Sequence, residues 1–168
     1  MLVFAVMTSS IIYAQNDLQQ LKEKIKSTIS GQGMVAIAFR DISTGDELFI
    51  NERERFHAAS TIKVAVLLAV FRAADEGRFQ LDDSLHVRNR FFSAADGSPL
   101  RLSQDRDAMP ELYSAIGRTA KLSSLALGMI CRSSNLATNL LLEFVGVEYA
   151  RTVLREAQVE GVELRRGV

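Results

Sequence analysis

The feature that most constrains this chain is the run 61–76 (TIKVAVLLAVFRAADE), apolar over its first three turns with one lysine, Lys63, set inside it. An element apolar on every side predicts a helix buried all round. Gly77 follows and ends it. A helix of that kind demands neighbours, so the chain must fold as a domain whose other elements wrap this one. The length, 168 residues, suffices for one domain with a substantial core. A lone ammonium in such a run needs a partner or a function.

The neighbours are legible from periodicity. Leu18, Leu21, Ile25 and Ile29 recur at helical spacing over residues 16–30, predicting an amphipathic surface helix closed by Gly31 and Gly33. MVAIAFRDI (34–42) and ELFINERERF (47–56) flank the turn Ser43-Thr44-Gly45-Asp46 and predict a β-hairpin. Residues 78–110 read as loop, punctuated by Asp82-Asp83, Asp96-Gly97-Ser98-Pro99 and Pro110. A short helix is expected over 111–119, and longer ones over 122–131, 134–145 and, after Gly146, 147–158. No internal repeat or low-complexity linker interrupts this order. The fold class is α+β: helix, hairpin, then mostly helices. A two-stranded hairpin is marginal alone and needs a larger sheet or a helix to cover it; with no third strand near the last residues, the sequence is expected to be a truncated one.

Several function classes lose support from composition. Lys+Arg and Asp+Glu number 20 each, so net charge is zero, and no basic patch speaks for nucleic acid or an anionic membrane. One cysteine, Cys131, and two scattered histidines, His57 and His86, do not make a zinc site. No phosphate-cradling glycine loop is present, so no cofactor is expected. Residues 1–14 (MLVFAVMTSSIIYA) are apolar and too short to span a bilayer. They read as the hydrophobic part of a secretory signal, cut after Ala14, which implies export and no stable membrane insertion. The alternative is a buried N-terminal strand or helix.

Two motifs carry chemistry. In Ser60-Thr61-Ile62-Lys63, a helix starting at Ser60 puts Lys63 one turn on and on the same face. A serine hydroxyl is a poor nucleophile until a base takes its proton, and a lysine in an apolar pocket has the lowered pKa that suits it to that task. A helix start also presents free N–H groups to an oxyanion. An S-x-x-K is nevertheless expected by chance roughly once in a chain of this size, and an N-cap serine with a solvated lysine is the plain alternative. Ser133-Ser134-Asn135 falls between two apolar helical runs, where hydroxyl and amide groups can face a cleft; alone, either serine reads as a helix cap.

Together the two motifs resemble the serine β-lactamases and penicillin-binding proteins, whose set is S-x-x-K, S-D-N and K-T-G. The resemblance extends over 54–85 (ERFHAASTIKVAVLLAVFRAADEGRFQLDDSL) and 129–146 (MICRSSNLATNLLLEFVG) and is nearest to the class A branch. It implies an α/β sheet domain plus an all-helical domain, with 15–57 supplying the first helix and hairpin of the former and 58–168 the helical domain. Carried over, Ser60 is the acylated nucleophile and Lys63 the general base or part of its proton network. Ser133 shuttles a proton to the leaving nitrogen, and Asn135 binds the substrate's acylamide group and helps hold Lys63. The implied substrate is a small β-lactam or a cell-wall peptide, and the complete protein is expected to be a monomer. Ser134 stands where the family has Asp, which predicts a looser junction. The stretch 88–110 does not match the usual rim loop. The deacylating Glu and the K-T-G strand are expected beyond Val168. Alternatives are a D-alanyl-D-alanine peptidase, a non-catalytic penicillin-binding module, and a helical domain with coincidental motifs. His57 could line the pocket but is expected to pack at the corner between hairpin and helix. Cys131 is expected to be a small core residue, Tyr113 is a weak candidate for the cleft rim, and Phe91 and Phe92 are expected to cover the loop.

Overall fold

The computed structural model describes residues 4–92 and 97–164, with side chains from Asp17 onward. Asp96 of the expected turn, the first three residues of the apolar leader and residues 165–168 lie outside the described residues. The chain divides into two compact units, Met1–Phe56 and His57–Val168.

In the first unit, helix α1 runs from Phe4 to Ile29, continuously through the expected cleavage point. Its apolar stripe is half-buried at Leu18, Ile25 and Ile29, while Leu21 is exposed. Strands β1 (Ile37–Arg40) and β2 (Glu47–Ile50) form the expected antiparallel hairpin, with Ile37 opposite Ile50 and Arg40 opposite Glu47. Both strands are shorter than the apolar runs that announced them, and local hydrogen bonding explains why. At the turn, the Asp41 carboxylate accepts N–H bonds from Ser43 at 2.7 Å and Thr44 at 3.1 Å, an Asx turn that takes backbone groups out of the ladder. At the far end Asn51 enters the left-handed region (φ 48°) and donates its side-chain amide to Val35 O at 2.9 Å. Among the described residues, no helix is long and apolar enough to cross a membrane.

In the second unit, a 3-10 turn (Ala59–Thr61) leads into α2 (Ile62–Asp75). The region read as loop contains short strands: β3 (Ser84–His86), β4 (Phe91–Phe92) and β5 (Pro99–Leu100). A 3-10 helix (Pro110–Ala115) and β6 (Thr119–Lys121) follow. β3 pairs with β6 and β4 with β5, both antiparallel. Two- and three-residue strands carry too little alternation to be seen in sequence. Then come α3 (Leu122–Arg132), α4 (Asn135–Val145) and α5 (Val147–Glu156). Gly146 (φ 89°) separates the last two at a backbone angle that residues with a Cβ rarely adopt.

α4 is the hub of the core, with Leu136, Ala137, Leu140, Leu141, Leu142 and Val145 all buried. α2 meets α3, α4 and α5 through Ala65, Val66, Ala69, Val70 and Ala73. The expectation that α2 is buried on every side needs correction. Val64, Leu68 and Phe71, spaced along one face, are 60%, 40% and 45% exposed. Hydropathy marks a face as coverable; only packing decides whether it is covered. The architecture as a whole is mixed α+β, an open hairpin plus a helical unit, as the sequence indicates.

Candidate active site

Ser60 lies in the 3-10 turn that opens α2. The residue before it, Ala59, has φ 45°, a left-handed conformation that is unfavourable for a side chain with a Cβ. Its N–H is held by His57, whose Nδ1 accepts at 3.1 Å. The packing role expected for His57 is therefore corrected: the ring is exposed, and its contribution is to accept a hydrogen bond at the bend that leads into Ser60.

One turn on, Lys63 points inward and is only 2% exposed. The solvated-lysine alternative is thereby excluded. The second motif comes to it from the α3–α4 junction. Ser133 caps the C-terminus of α3 in the left-handed conformation (φ 58°, ψ 31°), which reverses the chain within one residue. Ser134 then caps the N-terminus of α4: its Oγ accepts from Ala137 N–H at 3.2 Å, and its carbonyl accepts from Thr138 Oγ1 at 2.6 Å. Thus the two adjacent serines part ways. Ser134 is the cap and is fully buried, while Ser133 turns its hydroxyl toward Ser60.

The geometry is a closed polar cluster. Lys63 Nζ donates to Ser133 O at 2.7 Å, to Ser133 Oγ at 2.8 Å and to Asn135 Oδ1 at 2.8 Å. Ser60 Oγ lies 3.3 Å from the same nitrogen. Ser133 Oγ donates to Ser60 Oγ at 2.9 Å. All four residues proposed from the sequence therefore meet at one point, across about seventy residues of chain. Three short acceptors match the three protons of an ammonium, so the charged form is accommodated. Burial nevertheless pushes the Lys63 pKa below its ordinary value, partly opposed by the negative charge of Asp107. With a proton removed, the Lys63 lone pair can accept from the Ser60 hydroxyl directly, or through Ser133 as a relay.

Asp107 was not singled out from the sequence. It is buried, and its Oδ2 accepts Leu136 N–H at 2.8 Å, so it reaches the first turn of α4 beside Asn135. Its Oδ1 accepts Met109 N–H at 2.9 Å. The Tyr113 hydroxyl approaches Oδ2 at 3.3 Å, and burial, with the Asp107 charge adding to it, pushes the Tyr113 pKa up to about 12. Tyr113 is thus a support for Asp107. The only local signal was an Asx-turn pattern at Asp107–Met109, indistinguishable from any other loop aspartate. Gly128 leaves room for the Met109 side chain, whose Sδ would lie 2.7 Å from a Cβ at that position.

Cys131, expected in the core, is exposed, because α3 turns that side of its last turn away from α4. Phe91 is buried as a loop cover should be; Phe92 is 61% exposed, with the Arg90 guanidinium 5.8 Å from its ring centre. Among the described residues, no group of His, Cys, Asp or Glu is placed to hold a metal ion.

Comparison with known proteins agrees on the fold. No curated protein matches the chain. Among solved structures it is similar to a β-lactamase from Sphaerobacter thermophilus, at 28% identity and a TM-score of 0.68, over 86% of this chain and 50% of that one. It is similar to PBP-A at 25% identity and a TM-score of 0.71, over 89% of this chain and 53% of that one. A variant of PBP-A, solved as its acyl-enzyme complex with penicillin G, matches at 27% identity and a TM-score of 0.68, over 85% of this chain and 51% of that one. The chain thus spans about half the length of these structures. Since residues 20–168 also match the model of the Beta-lactamase enzyme family, the chain belongs to that family.

Proposed function

We propose that Ser60 is the nucleophile of an acyl-transfer site, opened by its hydroxyl losing a proton to Lys63, and that the whole protein hydrolyses β-lactam amide bonds in the manner of the class A branch. The observation that supports this best is the Ser60–Ser133–Lys63 cluster, a hydroxyl, a second hydroxyl and a buried amine within hydrogen-bonding distance. In acylation, Ser60 Oγ adds to the amide carbonyl as its proton passes to Lys63 Nζ. The carbonyl oxygen takes up the negative charge beside the N–H groups at the helix start. When the C–N bond breaks, Ser133 hands its proton to the leaving nitrogen and is reprotonated by Lys63. The product is an ester on Ser60 and a free amine; water then completes hydrolysis. Asn135, besides fixing Lys63, orients the acylamide arm of the substrate. Export through a cleaved leader at residues 1–14 belongs to the same reading.

The similarity to PBP-A, close in extent to that to the Sphaerobacter enzyme, supports a second reading, in which the acyl group stays on the protein and the role is peptidase-like or purely penicillin-binding. Intact-mass spectrometry after incubation with a penicillin tests both, with circular dichroism to establish folding. One adduct per chain, absent in Ser60→Ala and in Lys63→Met, is the expected result. Loss of the adduct within minutes supports the hydrolase, and persistence supports the second reading. A folded chain that never gains the adduct sinks both.

A further inference from the structure

We infer that Asp107 is a positioning residue for this site: from the loop before the Pro110–Ala115 helix, it supplies the carboxylate that holds the first turn of α4 against Lys63. The inference starts from a shortage. The N-terminus of α4 is buried, and its free N–H groups need acceptors. The cap residue Ser134 has one side-chain oxygen, already accepting Ala137 N–H. Leu136 N–H is satisfied only by reaching 29 residues back, to Asp107 Oδ2. An ionised acceptor at a helix N-terminus is favoured by both hydrogen bonding and the helix dipole.

Two routes connect this carboxylate to Lys63. The first is mechanical: Leu136 is the neighbour of Asn135, whose Oδ1 accepts a hydrogen bond from Lys63 Nζ at 2.8 Å. The second is electrostatic: among the charged groups around the site, Asp107 is the one whose field favours the ammonium. The others are engaged elsewhere. At the end of α3, Arg132 is paired with Glu111 of the 3-10 helix. Tyr113 faces Asp107 and is held in its phenol form. The 3-10 turn before α2 and the start of α4 present Ser60 and Asn135 to Lys63, both uncharged. Asp107 is itself fixed on both oxygens, by Met109 and by Leu136 and Tyr113. A buried carboxylate locked in this way is a built part of the site. It does what an acidic residue at position 134 could do, from a different part of the chain.

The role in acyl transfer rests on the function proposed above; the coupling to Lys63 does not, and the experiment keeps them apart. Lys63 is observed directly by 13C NMR of its ε-carbon, assigned by its loss in Lys63→Arg, in the wild-type chain, Asp107→Asn and Asp107→Asn/Ser134→Asp. The Lys63 titration midpoint is expected to move to lower pH in Asp107→Asn, and back up when Ser134→Asp is added. The Tyr113 phenol is expected to titrate at lower pH in Asp107→Asn as well. A folded Asp107→Asn with an unmoved Lys63 midpoint overturns the inference, even if acylation proceeds. A moved midpoint with no acylation in any variant upholds it and counts against the proposed function. If Asp107→Asn does not fold, Asp107→Glu decides: the longer side chain keeps the charge but displaces it from Leu136 N–H, so the Leu136 amide shift and the Lys63 midpoint are both expected to move. A folded Asp107→Glu with a moved Leu136 amide and an unmoved Lys63 midpoint overturns the inference.

Discussion

The helical unit and the hairpin unit bury their apolar residues to very different degrees. Every member of the continuous core cluster lies between Ala65 and Leu164. Among the described side chains of the first unit, only Leu48 and Ile50 are buried, while Met34, Phe39 and Ile42 are 67%, 49% and 96% exposed. All four site residues, and Asp107 with them, belong to the helical unit. One buried ammonium shared among acceptors about seventy residues away in the chain needs side chains held in place by close packing. The hairpin's short hydrogen bonds instead join groups at its exposed surface. The chain therefore builds the polar cluster where its packing is dense, and leaves the sparsely packed unit free of it.

The sharpest way to break this comparison is one leucine in each unit. Leu141 is fully buried at the hub helix. Leu141→Ala is expected to cost the helical unit about 2–5 kcal/mol, the range for a large-to-small change with a cavity. Leu48→Ala removes half of the hairpin's small buried set. It is expected to raise amide exchange through β1 and β2 while leaving the thermal transition of the helical unit in place. Circular dichroism melts and residue-resolved hydrogen exchange read both. A shared, equal loss of stability would mean that the two units unfold as one.

The two units should also respond at opposite ends of the pH scale. Lys63 has its folded pKa lowered by burial from the usual 10.5. Between that lowered value and the unfolded one, the unfolded chain binds more protons. Stability of the helical unit therefore rises with pH across this window, and Lys63→Met removes the slope. In the hairpin, the Ser43 hydroxyl, then the Ser43 and Thr44 amides, hold the Asp41 carboxyl below its usual 3.8. Its contribution is present above that value and is lost as the pH falls through the folded pKa. Urea unfolding from acid to alkaline pH, with hairpin and helical amides followed separately, tests the division. An alkaline slope unchanged in Lys63→Met would show that Lys63 does not titrate as a buried amine.

How much of this was legible follows from which interactions are local. Spacing put Ser60 and Lys63 one turn apart and placed Ser133 to Asn135 at a helix junction. Either motif alone was open to a plain reading, and their assignment to one site came from the resemblance to the serine β-lactamases and penicillin-binding proteins. The helices came through because a dozen residues of period 3.6 leave a clear trace. β3 to β6 did not, because their pairing joins short segments across a loop. Asp107 was invisible because its meaning lies in a bond to Leu136, formed only once the loop packs on the α3–α4 junction. The misreadings of Cys131 and of the exposed face of α2 share one cause: composition shows that a residue tolerates burial, and packing decides whether burial occurs.

The smallest expected difference lies in the surface ion pairs, and one pair from each unit serves to compare them. Arg40 pairs with Glu47 across the hairpin, in register with its partner strand. Arg88 pairs with Glu143 on the helical unit at 2.8 Å, with both side chains substantially exposed. Each is expected to contribute about 0.2–1 kcal/mol, because water and salt screen the attraction and two long side chains lose freedom in making it. Double-mutant cycles with Arg40→Ala/Glu47→Ala and Arg88→Ala/Glu143→Ala, repeated at high salt, measure both coupling energies. If dense packing is what separates the units, the two couplings should be alike and should shrink together with salt. A hairpin coupling well above that range, and indifferent to salt, would show that the first unit relies on charge pairing across its strands to offset the apolar burial it lacks.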